Sequence, residues 1–139
     1  MNHQVLRDGV LLLLRLALGV IAIAHGWNRV FQQGMDGGTG TIELFRAAGA
    51  PAPGVLAWLT AGVEMLGGAM VVAGLLTTAA AGALALVTAV SFYFFHMSNG
   101  FFAVNNGMEL PLLIIVCCLT IVVFGAGRAS LDRALSRFA

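Results

Sequence analysis

Lysine is missing from this chain, and charged residues of any kind fill only 9% of its 139 positions. A soluble domain typically carries about 25% charge, so a water-exposed globule is excluded and a membrane protein is indicated. All seven basic residues are arginines, and the formal net charge is +1. With no basic patch and no RNA- or DNA-binding motif, nucleic acid is not expected as a partner. Cysteine is scarce as well. Cys117 and Cys118 are adjacent, which is not the Cys-x-x-Cys redox spacing. They fall inside an apolar stretch, where cysteine packs as a small hydrophobe. No Glu-x-x-His pair of the kind used by di-metal bundles occurs, so no metal centre is expected.

Apolar residues are abundant: 60% of the chain is hydrophobic and the mean hydropathy is +0.96. They form four runs, residues 9–31, 55–76, 78–97 and 108–126, each of a length suited to a hydrocarbon core of ~30 Å. Little length remains for anything else, so residues 1–139 are read as a single transmembrane domain. Residues 11–24 end in Ala22-Ile23-Ala24, resembling a signal-peptide cleavage site. Arg15 interrupts that run, and the segment is expected to be retained as a span.

A polar, glycine-rich turn over residues 32–40 follows the first run. Residues 41–48, TIELFRAA, place Ile42, Leu44 and Phe45 on one side of a short helix expected at the membrane interface. Pro51 and Pro53 end it and launch the second span. The turn at Thr77-Thr78 leaves room only for an antiparallel hairpin. Residues 130–138 suit a short amphipathic tail helix. Arg7, Arg128, Arg133 and Arg137 gather at one side of the membrane, against Arg29 and Arg46 on the other. The positive-inside rule then puts both termini in the cytoplasm. The expected fold is all-α, an antiparallel four-helix transmembrane bundle in a bacterial cytoplasmic membrane.

Helical spacing puts Arg15, Gly19, Ala22, Gly26 and Arg29 on one face of the first span, with His25 on its flank. Ala57, Ala61, Glu64, Gly68 and Val71 share a face of the second. Gly82, Ala85, Ala89, Phe92 and His96 share one of the third. Small residues let membrane helices approach closely, so these faces should turn inward. The fourth span is bulkier, with Leu112, Leu113, Val116 and Thr120 below Glu109.

Every span thus carries an ionisable group, each costing about 2.5–3.5 kcal/mol at a helix centre unless it is paired, wetted or bound to a ligand. Arg15 and Glu64 are expected to form a buried ion pair that fixes helix register. His25 and Glu64 could instead hold and pass protons, lining a slot where a quinone head group would bind. The alternative for His25 is a core histidine satisfied by a backbone carbonyl. His96 and Glu109 should face each other at the outer mouth, with Asn99, Asn105 and Asn106 as an entry rim or as loop anchors. His25, Glu64, His96, Asn99 and Glu109 are therefore the candidate quinone-binding residues, and His25 and Glu64 the candidate catalytic pair.

These residues fall in stretches that run nearly the length of the chain: LLRLALGVIAIAHG at 13–26, FRAAGAPAP at 45–53, VEMLGG at 63–68, GLLTTAA at 74–80, HMSNGFF at 96–102, GMELPLL at 107–113 and GAGRASLD at 125–132. In order and spacing they resemble the DoxX family of small four-span membrane proteins. The resemblance puts Arg15, His25, Glu64, His96, Asn99 and Glu109 at the family's polar motif positions. Arg29 stands where a lysine is common, Thr78 where an arginine is common, and Met108 where an aromatic is usual. What the resemblance implies is membrane redox work, since relatives include a subunit of thiosulfate:quinone oxidoreductase and partners in oxidative-stress complexes. The leading expectation is a quinone- or lipid-facing redox subunit without a covalent cofactor, served by an electron-donating partner. The alternatives are a non-catalytic accessory or assembly subunit and a proton or small-solute pathway.

Overall fold

The computed structural model describes residues 2–139, which are helical with no strand among them. Helix α1 spans His3–Gln32, α3 spans Pro53–Ala73 and α4 spans Thr77–His96, and these three are long and apolar enough to cross a membrane. Between the first two lies the short α2, Thr41–Ala47. The apolar α5, Glu109–Phe124, has 16 residues, about 24 Å at helical rise, and α6 is the single turn Leu131–Leu135. The α3–α4 hairpin turns at residues 74–76, slightly earlier than the expected Thr77-Thr78. Gly74 supplies the left-handed φ of 75° that ends α3.

Helices α1 and α3 pack face to face through the small residues that helical spacing singled out. Gly19, Ala22 and Gly26 are buried on α1, and Ala57, Ala61, Gly68 and Val71 on α3. A Cβ at Gly19 would lie 2.6 Å from the Gly68 carbonyl oxygen, and one at Gly26 would lie 2.9 Å from that of Ala61. Only glycine permits this approach, and it sets an antiparallel register in which Gly19 faces 68–72 and Gly26 faces 61–65.

On α4 the expectation needs correcting. Its buried face is Thr77, Ala80, Ala81, Leu84, Val87 and Ser91, while Gly82, Ala85 and Ala89 turn to its flanks. Small residues occur all round this helix, so spacing gave no contrast. The orientation is set by Leu84, which fits over Gly67 on α3. On α5 the buried residues are Pro111, Cys118 and Ile121, and Leu112, Leu113 and Val116 face outward. Cys118 is fully buried among Leu84, Ala81 and Ile121, and Cys117 packs beside that cluster. Both cysteines are free and act as packing.

Helix α2 is more than a surface element. Phe45 is fully buried with Met35, Ala50, Ala57 and Ala61, and its ring meets Phe95 edge-on at 4.8 Å. Thr41 closes the glycine-rich loop with its one hydroxyl hydrogen shared between the Arg29 and Gly34 carbonyls, 2.8 and 3.0 Å from Oγ1.

Candidate functional site

The end bearing the chain termini is held by two charged side chains. Arg15, only 1% exposed, donates from Nε to Val71 O at 3.0 Å and from Nη2 to Val72 O at 3.0 Å. Its Nη1 donates to Ala126 O and Ala129 O, both at 2.8 Å. The last carbonyls of a helix have no intrahelical partner. One planar guanidinium here serves two of those of α3, Val71 O (which also accepts from Gly74 N at 3.2 Å) and Val72 O, together with two from the segment after α5. The expected Arg15–Glu64 ion pair does not form.

Asp132 grips the other side of the same hairpin. It accepts from Leu76 N at 2.7 Å, Thr77 N at 2.9 Å and Thr77 Oγ1 at 2.7 Å. It thereby caps α4 and holds Leu76 at its left-handed φ of 45°. Burial pushes the Asp132 carboxyl up, but the Thr77 and Leu76 donors and the Arg15 charge outweigh that and hold it below its ordinary value. A depressed native pKa favours the fold in the ionised state. Its contribution is complete above the unfolded value of ~3.9 and is lost as pH falls through the native one. Thermal stability of the wild type should therefore drop on acidification through that window, and Asp132→Asn should flatten that part of the profile. An unchanged profile in the variant would show that Asp132 does not titrate with folding.

Toward the opposite end, where the long loops lie, a cavity of about 390 Å³ opens between the helices. Its floor is apolar, with Leu18, Ala22 and Leu84. Its upper part is polar, with His25, Arg29, Glu64, Ser91, His96 and Asn106. Three of these sit on wide π-helical turns, Asn28–Gln32, Val63–Gly67 and Phe92–His96. Such turns interrupt the regular helical ladder and often occur at functional sites. Here they converge on one cavity from three helices.

Glu64 is bound by Arg29, whose Nε lies 2.9 Å from Oε2 with both side chains largely buried. Arg29 also reaches Ser91 Oγ at 3.5 Å and lies 6.0 Å from the centroid of the Phe45 ring. Register explains the choice of partner. The glycine contacts put Glu64 level with His25, four residues from Arg29 and ten from Arg15, so the axial offsets are about 6 Å and 15 Å. An extended arginine spans the first and not the second. Arg29 was legible as a charge on the inner face of α1, but its pairing needed the register.

His25 Nδ1 lies 2.8 Å from Ile21 O and His96 Nδ1 lies 2.9 Å from Asn106 O. A carbonyl can only accept, so each Nδ1 carries the hydrogen and each Nε2 is left to accept a hydrogen bond or a proton. Glu109 does not join the cavity. It accepts from Ala103 N at 2.9 Å and caps the short turn Ala103–Asn105. Asn99 is likewise occupied, donating to Phe95 O at 2.8 Å and Asn106 O at 3.2 Å. Of the five candidate binding residues, His25, Glu64 and His96 line the cavity, whereas Asn99 and Glu109 build the loop above it.

Comparison with known proteins gives a consistent picture. The family model described as DoxX matches residues 10–97, a stretch that contains Arg15, His25, Arg29, Glu64 and His96. An uncharacterized protein of Haemophilus influenzae is 34% identical over 138 residues, 95% of each chain. A second from that organism is 31% identical over 86 residues, 61% of this chain and 57% of its own. A Bacillus subtilis protein named "Putative oxidoreductase CatD" is 39% identical over 66 residues, 48% of this chain and 44% of its own. No solved structure matches.

Proposed function

We propose that this chain, which belongs to the DoxX family, is a quinone-binding redox subunit of a bacterial cytoplasmic membrane. In this reading all four apolar helices span the bilayer as an antiparallel bundle. Both termini are cytoplasmic, as the arginine distribution favours. The observation that carries the reading is the polarity of this cavity between the helices. Imidazoles and an ion pair sit at one end and bare hydrocarbon at the other, as a head group joined to an apolar body requires. The oxidoreductase name of the Bacillus subtilis relative points to the same class of chemistry.

The roles follow from the hydrogen bonds. Glu64 holds the Arg29 guanidinium in place, leaving that cation to donate toward a quinone carbonyl. His25 takes up a proton at Nε2 and passes it to the reduced quinone, twice per two-electron reduction, while Nδ1–H stays tied to Ile21 O. Reduction of a quinone takes two electrons and two protons. The chain carries no redox motif of its own, so the electrons would come from a partner subunit. Of the expected relay, Glu64 becomes the electrostatic support and His25 remains the proton carrier.

Replacing His25 by alanine tests this. The only hydrogen bond lost lies within its own helix turn, so the melting temperature should change little. Quinone retained by the purified protein should fall at least about tenfold, in line with loss of one well-placed polar contact. Wild-type quinone retention by a well-folded His25→Ala protein would sink the assignment. Topology is checked in the same membranes. A cysteine replacing Asn106 should react with an impermeant maleimide on intact spheroplasts, whereas one replacing Ser136 should not. The reverse pattern would invert the bundle.

A further inference from the structure

The loop above the cavity and the α1–α5 side of that cavity are built very differently. Above it lies the loop of residues 97–108, knit by its own hydrogen bonds. Gly107 N donates to Phe102 O at 3.0 Å, Met108 N to Gly100 O at 3.0 Å and Glu109 N to Phe101 O at 2.8 Å. The Glu109 carboxylate and the His96 and Asn99 side chains pin the same loop. A Cβ at Gly107 would lie 2.8 Å from Phe102 O and from the Phe101 carbonyl carbon, so the loop has no internal slack. Phe101, Phe102 and Val104 are 53%, 63% and 90% exposed. Apolar groups presented this way on a membrane protein suit the lipid interface.

The side of the cavity is looser. Helix α1 packs mainly on α3, and α5 mainly on α4, so α1 and α5 meet only lightly. Their junction is fastened at the terminal end, where Arg15 binds the carbonyls of Ala126 and Ala129. Nearer the loops, Ile21 on α1 and Leu110 and Ile114 on α5 line the cavity. Ile21 and Leu110 stay 38% and 37% exposed, although all three are apolar. The α1–α5 junction is thus tied at its terminal end and lined nearer the loops by partly exposed apolar side chains.

Resting on the quinone reading above, we infer that the substrate is taken sideways from the bilayer between α1 and α5. Its long apolar tail remains threaded past Ile21, Leu110 and Ile114 while the head group sits at Arg29 and His25. The substrate class is then a tailed, membrane-resident quinone, and the rim supplies its tail specificity. Phe101, Phe102 and Val104 seat the capping loop in the interface above the slot.

The test compares two naphthoquinones, one with a long isoprenoid tail and one with the bare ring. Their affinities for the protein in lipid nanodiscs are read by quenching of its tryptophan fluorescence. The wild type should favour the tailed compound. Ile21→Cys protein is purified folded and then modified with a benzyl maleimide, and equally treated wild type controls for Cys117 and Cys118. Modification should cut the ratio of tailed to tailless affinity by about tenfold, the loss of roughly two buried methylenes. Ile114→Trp, on the facing helix, should lower the ratio in the same direction. An unchanged ratio in both proteins would overturn side entry while leaving the head-group site intact. Equal loss of both compounds would overturn it too, because Ile21 would then belong to the head-group site. Failure of the wild type to bind either ring refutes the quinone reading itself.

Discussion

Arg15→Leu is expected to be the most damaging single substitution in the chain, lowering stability by about 3–5 kcal/mol or more. The change takes the side-chain donor from four backbone carbonyls, of which Val71 O alone keeps a second donor, Gly74 N at 3.2 Å. A carbonyl left buried without a donor costs about 1–3 kcal/mol, and three segments are loosened at once. These are the C-terminus of α3, the chain after α5 and the body of α1. Arg15→Lys should recover only part of the loss, because an ammonium cannot reproduce a planar fork that reaches four acceptors. Adding Glu64→Leu should not rescue Arg15→Leu. The two residues share no partner, and Val71, which Arg15 binds, lies seven residues along α3 from Glu64, about 10 Å. Their effects should add to within about 0.5 kcal/mol. Thermal unfolding in detergent of the two single variants and the double variant decides the matter. Rescue by the second substitution would restore the ion pair that sequence alone suggested.

The second large effect lies in the Arg29–Glu64 pair. Arg29→Leu or Glu64→Leu alone leaves a largely buried charge without its counterion, a loss of about 3–5 kcal/mol. The double variant should recover most of it, because two apolar side chains of similar bulk leave no stranded charge. The coupling energy from this cycle should exceed about 1 kcal/mol, well outside the range of exposed pairs. The double variant also separates stability from function. It should be folded yet retain no quinone, since the cation aimed at the head group is gone. A stable Arg29→Leu/Glu64→Leu protein with full quinone retention would remove the pair from the site and leave it a structural strut. Ser91, within 3.5 Å of Arg29, contributes little here, and Ser91→Ala should behave close to wild type.

The distribution of charge in this membrane protein follows from cost. Hydrocarbon tolerates an ion only where hydrogen bonds or a counterion replace water, and the buried Arg15 and Glu64 and the half-buried Asp132 meet that demand differently. Arg15 uses carbonyls freed by helix ends, Glu64 uses Arg29, and Asp132 uses amides freed by the start of α4. The first and third make one rigid end of the molecule, which frees the other end to hold a cavity. The wide π-helical turns reinforce that division. They fall only toward the cavity, where a regular ladder would aim Arg29, Glu64 and His96 elsewhere.

Much of this was legible in the residue order. Hydropathy placed the last three apolar helices to within a few residues, because the thickness of hydrocarbon constrains their length, whereas α1 begins at His3, six residues before its expected start. Small residues at helical spacing identified the inner faces of α1 and α3, because only such faces allow backbones to meet. Scarcity of charge marked Arg15, His25, Glu64 and His96, since each is too costly to keep without a role. What tertiary structure decided is how those groups combine. Periodicity tells which face of a helix turns inward but not how far one helix slides along another. That offset came from Gly19 and Gly26 seating against α3, and it gave Glu64 to Arg29 rather than to Arg15. Rotation of α4 was hidden for a related reason, since a helix small on every side has no preferred face until Leu84 meets Gly67. The loop residues Asn99 and Glu109 looked like a binding rim because they are polar and near the mouth. Only the folded structure showed their hydrogen bonds spent on backbone groups of the loop and the end of α4, so that of the polar loop candidates Asn106 alone lines the cavity.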